Sequence, residues 1–122
     1  MERLKAKDIP AWREKQLAKQ LGLDPITGLR IENPCLDHDH VTGRCRQVLD
    51  RDTNAFEGKV FNAWRRYLRH KGVTIKKALF ELIYYYSLDY SGNPLHPSHR
   101  SSEEKRILRN KRAKRRRKLK KQ

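Results

Sequence analysis

Residues 35–49 constrain the fold of this chain more than any other segment. Strand-like residues at 35–36 and 47–49 flank Val41-Thr42-Gly43, which has the composition of a turn, so the segment predicts a β-hairpin. The polar run Asp-His-Asp-His at 37–40 lies where the first strand passes into the turn. Side chains in that position can face a substrate instead of a hydrophobic core.

The rest of the chain reads mainly as helices. Periodic apolar residues predict helices over 9–21, 54–70 and 74–88, and residues 101–121 have the composition of a basic helix. With one hairpin among them, these segments predict an α+β fold that is mostly helical. The predicted parts are an N-terminal helix (1–23), a hairpin and helix core (24–70), a helix and loop (71–99) and a basic tail (100–122).

Capping residues mark the starts of two of these helices. Asn54 fits the start of the helix after the hairpin, because Asn is a favoured N-cap residue. Ser101 or Ser102 fits the start of the basic helix, with Glu103 and Glu104 in its first turn.

The segments 54–70 and 74–88 dominate the apolar content of the chain. The second segment has apolar residues most of the way round its helix, which is more than a small monomer covers easily, so we expect a subunit interface there. The alternative is a central core helix. Gly58 costs about 1 kcal/mol relative to Ala inside a helix, so we expect another group to approach closely at that position.

The charge of the chain is strongly positive. There are 30 Lys and Arg against 14 Asp and Glu, a net charge of +16, and residues 100–122 hold +11 of it. A tail this basic favours binding to a polyanion through phosphate contacts and counterion release. The alternative interpretation is a solubility tail or an import signal.

The cysteine count and the hydropathy pattern indicate in which cellular compartment the protein acts. Two cysteines are too few for a disulfide scaffold or a four-thiolate zinc site, so a reducing environment is the simpler expectation. No apolar run approaches the roughly 20 residues that span a bilayer, and no signal peptide is visible. We therefore predict a soluble, cytoplasmic protein with no membrane partner.

The ionisable run in the hairpin can carry phosphodiester hydrolysis. Asp37 offers a carboxylate oxygen and Asn54 an amide oxygen, which are ligands that suit Mg²⁺, and Mn²⁺ is an expected substitute. His38 can accept a proton from water near neutral pH, and His40 can donate to a phosphate. In so basic a chain, this combination favours a metal-dependent nuclease. The alternatives are a loop of solvated residues or a structural zinc site.

The hairpin motif resembles a known nuclease family. The residues that carry the resemblance are Leu36-Asp37-His38-Asp39-His40, Thr42-Gly43-Arg44, Arg46, Leu49, Asn54-Ala55 and Glu57-Gly58. Their order is similar to that of the phage recombination endonuclease VII family, His-Me (ββα-metal) nucleases of the HNH kind. The similarity covers about residues 10–99, and residues 36–58 are the specific part.

The resemblance implies a role for each matched residue. Asp37 and Asn54 match the metal ligands, and His38 matches the general base that activates water. His40 matches a histidine that contacts the scissile phosphate, and Glu57 matches an acidic residue close to the site. The family also implies a ββα-metal core, dimerisation through long central helices, and cleavage of branched DNA, Holliday junctions in particular.

The chain departs from the family at the structural zinc. The family holds zinc with two Cys-x-x-Cys pairs, and the aligned positions here are Asp24 with Thr27 and Asp50 with Thr53. Two Asp and two Thr are poor zinc ligands, so we predict no structural zinc. We hypothesise a hydrogen-bonded knot in which the Thr27 and Thr53 hydroxyls and nearby backbone donors satisfy Asp24 and Asp50. The alternative is that each Asp caps a local turn.

The basic tail is the second departure, since residues 100–122 do not resemble the family. Such an arm adds affinity that is independent of DNA sequence, which could broaden the substrate toward duplex DNA. The residues expected to contact DNA are Arg44, Arg46, Arg51, Lys59, Arg109, Arg112, Arg115, Arg116 and Arg117.

Together these features predict a Mg²⁺-dependent, homodimeric endodeoxyribonuclease. It would cut branched DNA during phage recombination or DNA packaging, in the cytoplasm of the host cell if a phage encodes it. The first alternative is an HNH nicking or homing endonuclease that acts on duplex DNA. The second is a non-catalytic nucleic-acid-binding protein in which the motif is vestigial.

Overall fold

The computed structural model describes residues 2–121, so Met1 and Gln122, at the ends of the predicted N-terminal part and basic tail, lie outside the described residues. The elements are α1 (Ile9–Lys19), β1 (Pro34–His38), β2 (Cys45–Asp50), α2 (Arg51–Tyr67), α3 (Ile75–Ser87) and α4 (Ser102–Lys120), with short 3-10 helices at Ala6–Asp8 and Arg69–Lys71. This order confirms a small, mostly helical α+β fold. The chain divides into two units, Met1–Tyr86 and Ser87–Gln122.

The predicted hairpin is present, with β1 and β2 paired antiparallel. Its register shifts between Leu36 and His38, where Asp37 lies opposite both Arg46 and Gln47. Two residues facing one define a β-bulge, which bends the strand and changes the direction of its side chains. The bulge lies within the candidate site.

The buried apolar core of the first unit is very small. Among residues 2–121, the buried apolar residues are Val48 and Leu49, and three polar residues, Asp24, Asp37 and Thr53, are also buried. α1 and α2 both pack against the hairpin. A core of this size contributes little hydrophobic stabilisation, so buried hydrogen bonds have a large share in holding the hairpin in place.

Gln20 joins the end of α1 to the edge of β2. Its side-chain amide donates to the carbonyl oxygen of Val48 over 2.8 Å and accepts from the Val48 N–H over 2.7 Å. Leu21 and Gly22 then turn the chain with φ values of 55° and 72°. α1 therefore ends at Lys19, two residues before the predicted end.

α2 begins three residues earlier than predicted, and Asn54 is not its cap. Asp50 is the N-cap, with an extended backbone (φ −65°, ψ 152°) and a carboxylate that accepts from the Arg51 N–H over 2.8 Å. The same carboxylate accepts from the Asn33 N–H over 3.2 Å. Asp is as good a cap as Asn, and the end of β2 supplies the extended backbone that a cap requires. The prediction for Asn54 was wrong for this reason.

α3 exposes its apolar face. None of the 13 described residues of this helix is buried, and Phe80, Ile83 and Tyr86 are at least 70% exposed. The alternative prediction of a central core helix is therefore wrong for the single chain.

α4 begins with the predicted capping residue. The Ser101 hydroxyl accepts from the Glu104 N–H over 3.1 Å, and the Glu104 carboxylate accepts from the Ser101 N–H over 3.4 Å. This reciprocal pair is a capping box. Across the part of the chain that the structure covers, no helix has the length and apolar character needed to cross a membrane.

Candidate active site

Four polar side chains form a continuous series of contacts between the hairpin and α2. Arg46 donates from Nε to Oδ2 of the buried Asp37 over 2.6 Å. Its Nη2 atom lies 3.0 Å from Oε1 of Glu57. The other Glu57 oxygen lies 3.3 Å from Nε2 of His40. The network therefore joins three residues of the hairpin to one residue of the helix that follows it.

The Arg46 guanidinium lies between two carboxylates. The hydrogen bond to Asp37 raises the pKa of Arg46 above its ordinary value, and this effect is larger than the opposing effect of burial. Arg46 therefore stays protonated and presents one positive charge to both Asp37 and Glu57. That Arg46 contacts DNA stays a prediction: its guanidinium contacts Asp37 and Glu57, while its side chain is 38% exposed.

His40 is held by α2 on two sides. Glu57 contacts its Nε2 atom, and the ring of Phe61 stacks on its ring at 4.7 Å with an interplanar angle of 25°. Glu57 and Phe61 are four residues apart on one helix, so they share a face. Phe61 is in turn packed against Trp64, whose Nε1 donates to the Val73 carbonyl over 2.8 Å. Sequence reasoning did not name Phe61, and its four-residue spacing from Glu57 was the available signal.

His38 faces the other side of the hairpin. Side chains alternate along a strand, so His38 points away from the side of Asp37 and shares its face with Leu36. Both residues line a cavity of about 820 Å³ beneath α1. His38 is exposed, and its ring centroid lies 5.5 Å from that of His40. A water molecule can therefore reach the imidazole.

Asp39, for which the sequence suggested no role, closes the hairpin turn. Its Oδ1 atom accepts from the N–H groups of Val41 and Thr42 over 2.8 and 2.9 Å. The bonds from Thr42 and then Val41 lower the pKa of Asp39. Gly43 completes the turn with φ 76°, in the left-handed region that favours glycine.

Asn54 lies within α2, three residues before Glu57, on the helix that packs against the strand of Asp37. A three-residue spacing puts Asn54 and Glu57 on neighbouring parts of the helix surface. Within residues 2–121, no group of three or more His, Cys, Asp or Glu side chains is arranged to hold a metal ion. Asp37 with Asn54 is a smaller set of two oxygen donors, the kind with which Mg²⁺ retains several waters.

Asp24 is the centre of a buried hydrogen-bond cluster and is 1% exposed. Its Oδ2 atom accepts from the Asp50 N–H over 2.9 Å, and Oδ1 accepts from the N–H groups of Ile26 and Thr27 over 2.8 and 3.2 Å. The Thr53 side chain adds a fourth hydrogen bond. Burial alone raises the pKa of Asp24, but these hydrogen bonds outweigh burial, and the pKa lies below the ordinary value of 3.8.

The cluster agrees with the hypothesised knot in part. The Thr53 side chain and backbone N–H groups bind Asp24 as expected. Thr27 instead donates to Asp24 from its backbone N–H, and its hydroxyl accepts from the Leu29 N–H over 3.2 Å. Asp50 joins the cluster through its own N–H. A local turn cap accounts for the bonds from Ile26 and Thr27, but not for the bond that joins Asp24 to Asp50, 26 residues away.

The other candidate DNA contacts are exposed. Arg44 is in the hairpin turn and lines the same cavity as His38, while Arg51 and Lys59 are on α2. The remaining candidates are all exposed on α4: Arg109, Arg112, Arg115, Arg116 and Arg117.

Comparison with known proteins assigns no family: no family model matches the chain, and no curated protein matches it. The functional conclusion rests on the residues of the site.

Proposed function

We propose that the protein is a metal-dependent endodeoxyribonuclease whose active site is the Asp37–Arg46–Glu57–His40 network together with His38 and Asn54. The observation that carries the proposal is the contact of Glu57 with both Arg46 and His40. It brings the hairpin and the following helix into one site, as a ββα-metal core requires.

Each side chain in the site has a task that its surroundings support. The exposed His38 accepts a proton from the attacking water. His40 is held between Glu57 and Phe61 through Nε2 and its ring face, and in its protonated form it donates from Nδ1 to a phosphate oxygen. Arg46 supplies a permanent positive charge where negative charge builds up during hydrolysis.

Asp37 and Asn54 offer hard oxygen donors that fit a Mg²⁺ ion. The contact with Arg46 uses only Oδ2 of Asp37. When bound there, Mg²⁺ would polarise the phosphate and offset charge on the leaving oxygen.

The substrate we propose is branched DNA, with a homodimer as the active form. The exposed apolar face of α3 and the small core of the first unit support association of two copies. The strongly basic α4 supports binding to DNA phosphates. Because that helix binds without regard to DNA sequence or shape, it also favours a second candidate, a nuclease that nicks linear duplex DNA.

A cleavage assay separates these two candidates. A labelled four-way junction and a linear duplex of the same sequence are incubated with the protein in Mg²⁺, Mn²⁺ or EDTA. We expect cleavage of the junction in either metal, slower cleavage of the duplex, and none in EDTA. Equal rates on both substrates favour the duplex nickase, and metal-supported cleavage of neither contradicts the nuclease proposal.

A further inference from the structure

The cavity beside His38 has the dimensions of a small-molecule site. Its volume of about 820 Å³ lies within the range of about 300–1,000 Å³ that such sites occupy. Leu4, Trp12 and Leu36 provide apolar walls from the N-terminal segment, from α1 and from β1. His38 lines this cavity, but Asp37, Arg46 and Glu57 do not, so the contacts among those three residues do not account for it.

Trp12 is the largest flat surface in the cavity. It lies in α1 and is 41% exposed, although α1 packs against the hairpin. An indole ring open to a cavity offers a stacking surface, and nucleic-acid bases stack on aromatic rings with little regard to their sequence.

The charges around the cavity favour an anion. Arg3 and Arg44 line the cavity. Among the described residues of the lining, Glu2 is the one that carries a carboxylate. Two guanidinium groups against one carboxylate leave a net positive charge, and guanidinium groups suit phosphate oxygens. An aromatic wall beside a positive rim matches a nucleotide better than a purely apolar ligand.

We propose that this cavity binds one unstacked nucleotide of a DNA strand, with its base on Trp12 and its phosphate between Arg3 and Arg44. His38 is in the same wall, so the nucleotide is the neighbour of the phosphate that is cut; this last step rests on the proposed nuclease function. A base enters the cavity only after it leaves the duplex stack, and that costs least at a junction, a flap or a mismatch. The cavity therefore gives a physical reason for the proposed preference for branched DNA.

Photo-crosslinking in EDTA tests the base position without any cleavage. The full chain is mixed with a short single-stranded oligonucleotide that carries 5-iododeoxyuridine, irradiated and digested, and the labelled peptide is sequenced by mass spectrometry. We expect the adduct on Trp12. Adducts confined to other aromatic residues, such as the exposed tyrosines of α3, overturn the proposal.

Affinity measurements on variants give the second readout. In EDTA, Trp12→Leu should weaken binding of the same oligonucleotide by about 10-fold, and Trp12→Phe should retain most of the affinity because it still stacks. Phe56→Leu is the matched control, since Phe56 is exposed on α2 and does not line the cavity. Circular dichroism checks that both variants are folded. If the folded Trp12→Leu variant binds as tightly as the parent, the proposal is contradicted.

An abasic substrate tests the same subsite by changing the DNA instead of the cavity. A junction that lacks the base next to the cut site should be cleaved by the parent at the slower rate that Trp12→Leu shows on the intact junction. Unchanged cleavage of the abasic junction by the parent overturns the subsite alone. If His38→Ala cleaves as fast as the parent, the nuclease assignment fails, and the crosslinking and affinity results in EDTA still decide nucleotide binding.

Discussion

Arg46 donates to Asp37 over 2.6 Å across the bulge of the hairpin, and this bond gives the buried Asp37 carboxylate a charged partner. A buried charge without a partner is strongly destabilising, whereas a paired one is tolerated. Because Arg46 also contacts Glu57, the same guanidinium links the hairpin to α2.

Replacing Arg46 should therefore weaken the fold. In Arg46→Gln, Asp37 loses its charged partner, and we expect the free energy of unfolding at neutral pH to fall by about 1–2 kcal/mol. This is less than a fully buried pair would lose, because the Arg46 side chain is 38% exposed. Urea denaturation measures the change. The exposed Arg51→Gln is the control, and equal losses in both variants would contradict the role of the Asp37 contact.

Asp24→Asn tests the buried cluster. The ionised Asp24 accepts hydrogen bonds from Ile26, Thr27, Asp50 and Thr53, and the Asn amide places a donor against one of them. We expect a loss of about 2 kcal/mol at neutral pH, the scale of an unsatisfied buried donor.

The loss in Asp24→Asn should depend on pH. The pKa of Asp24 is lower in the folded chain than its ordinary value of 3.8, so its stabilising effect is complete well above pH 3.8 and disappears as the pH falls through the folded pKa. Urea denaturation at a series of pH values should show parent and variant converging in acid. A constant difference at every pH would count against this account, and Asp52→Asn, exposed in the first turn of α2, is the control.

The same cluster predicts the metal content of the protein. Protein purified without added zinc should contain no stoichiometric zinc, since Asp24 and Thr53 bind each other and the backbone. Atomic emission spectroscopy before and after dialysis against a chelator measures this. One tightly held zinc per chain would contradict this account of the Asp24 cluster.

Gly58→Ala should stabilise α2. No atom outside the helix backbone, among those described, lies within 4 Å of the position a Cβ would take, so the expected close approach is absent from the single chain. The variant should gain about 0.5–1 kcal/mol in thermal or urea unfolding and cleave DNA at the parent rate. Asn62→Ala, exposed on the same helix, is the control. A folded Gly58→Ala that no longer cleaves would show that DNA or a partner approaches this position.

Truncation after His99 should alter DNA binding more than chemistry. It removes residues 100–122, which carry +11 of the net charge and belong to the second unit. We expect weaker binding and a shallower dependence of log K on log salt, by about 0.9 for each duplex phosphate that the arm no longer neutralises. Cleavage at low salt should persist. An unchanged salt slope would exclude α4 as a phosphate-binding arm.

Local patterns predicted the elements of the fold better than their contacts. The turn Val41-Thr42-Gly43 and the cap Ser101 are read from neighbouring residues, and both are present. The start of α2 was misplaced because Asp50 and Asn54 are both good caps, and only the end of β2 decides between them.

The parts of the site that were missed depend on distant residues. Phe61 stacks on His40 because α2 packs across the hairpin, and the bulge that brings Arg46 to Asp37 arises from strand register. The four-residue spacing of Phe61 from Glu57 indicates a shared helix face, but it does not indicate which residue of the hairpin that face meets. The bulge leaves no signal in neighbouring residues. The two residues expected on the metal, Asp37 and Asn54, lie on elements that pack together, but their oxygen donors were inferred from chemistry rather than from a contact.

The nicking rate of His38→Ala tests the central claim most directly. Supercoiled plasmid or a labelled junction is incubated in Mg²⁺ with the parent, with His38→Ala and with His70→Ala, an exposed histidine of the short 3-10 helix that serves as control. Loss of the general base should slow His38→Ala by about 100-fold or more, while His70→Ala keeps the parent rate. A folded His38→Ala that nicks DNA as fast as the parent would contradict the assignment of this hairpin as a nuclease active site.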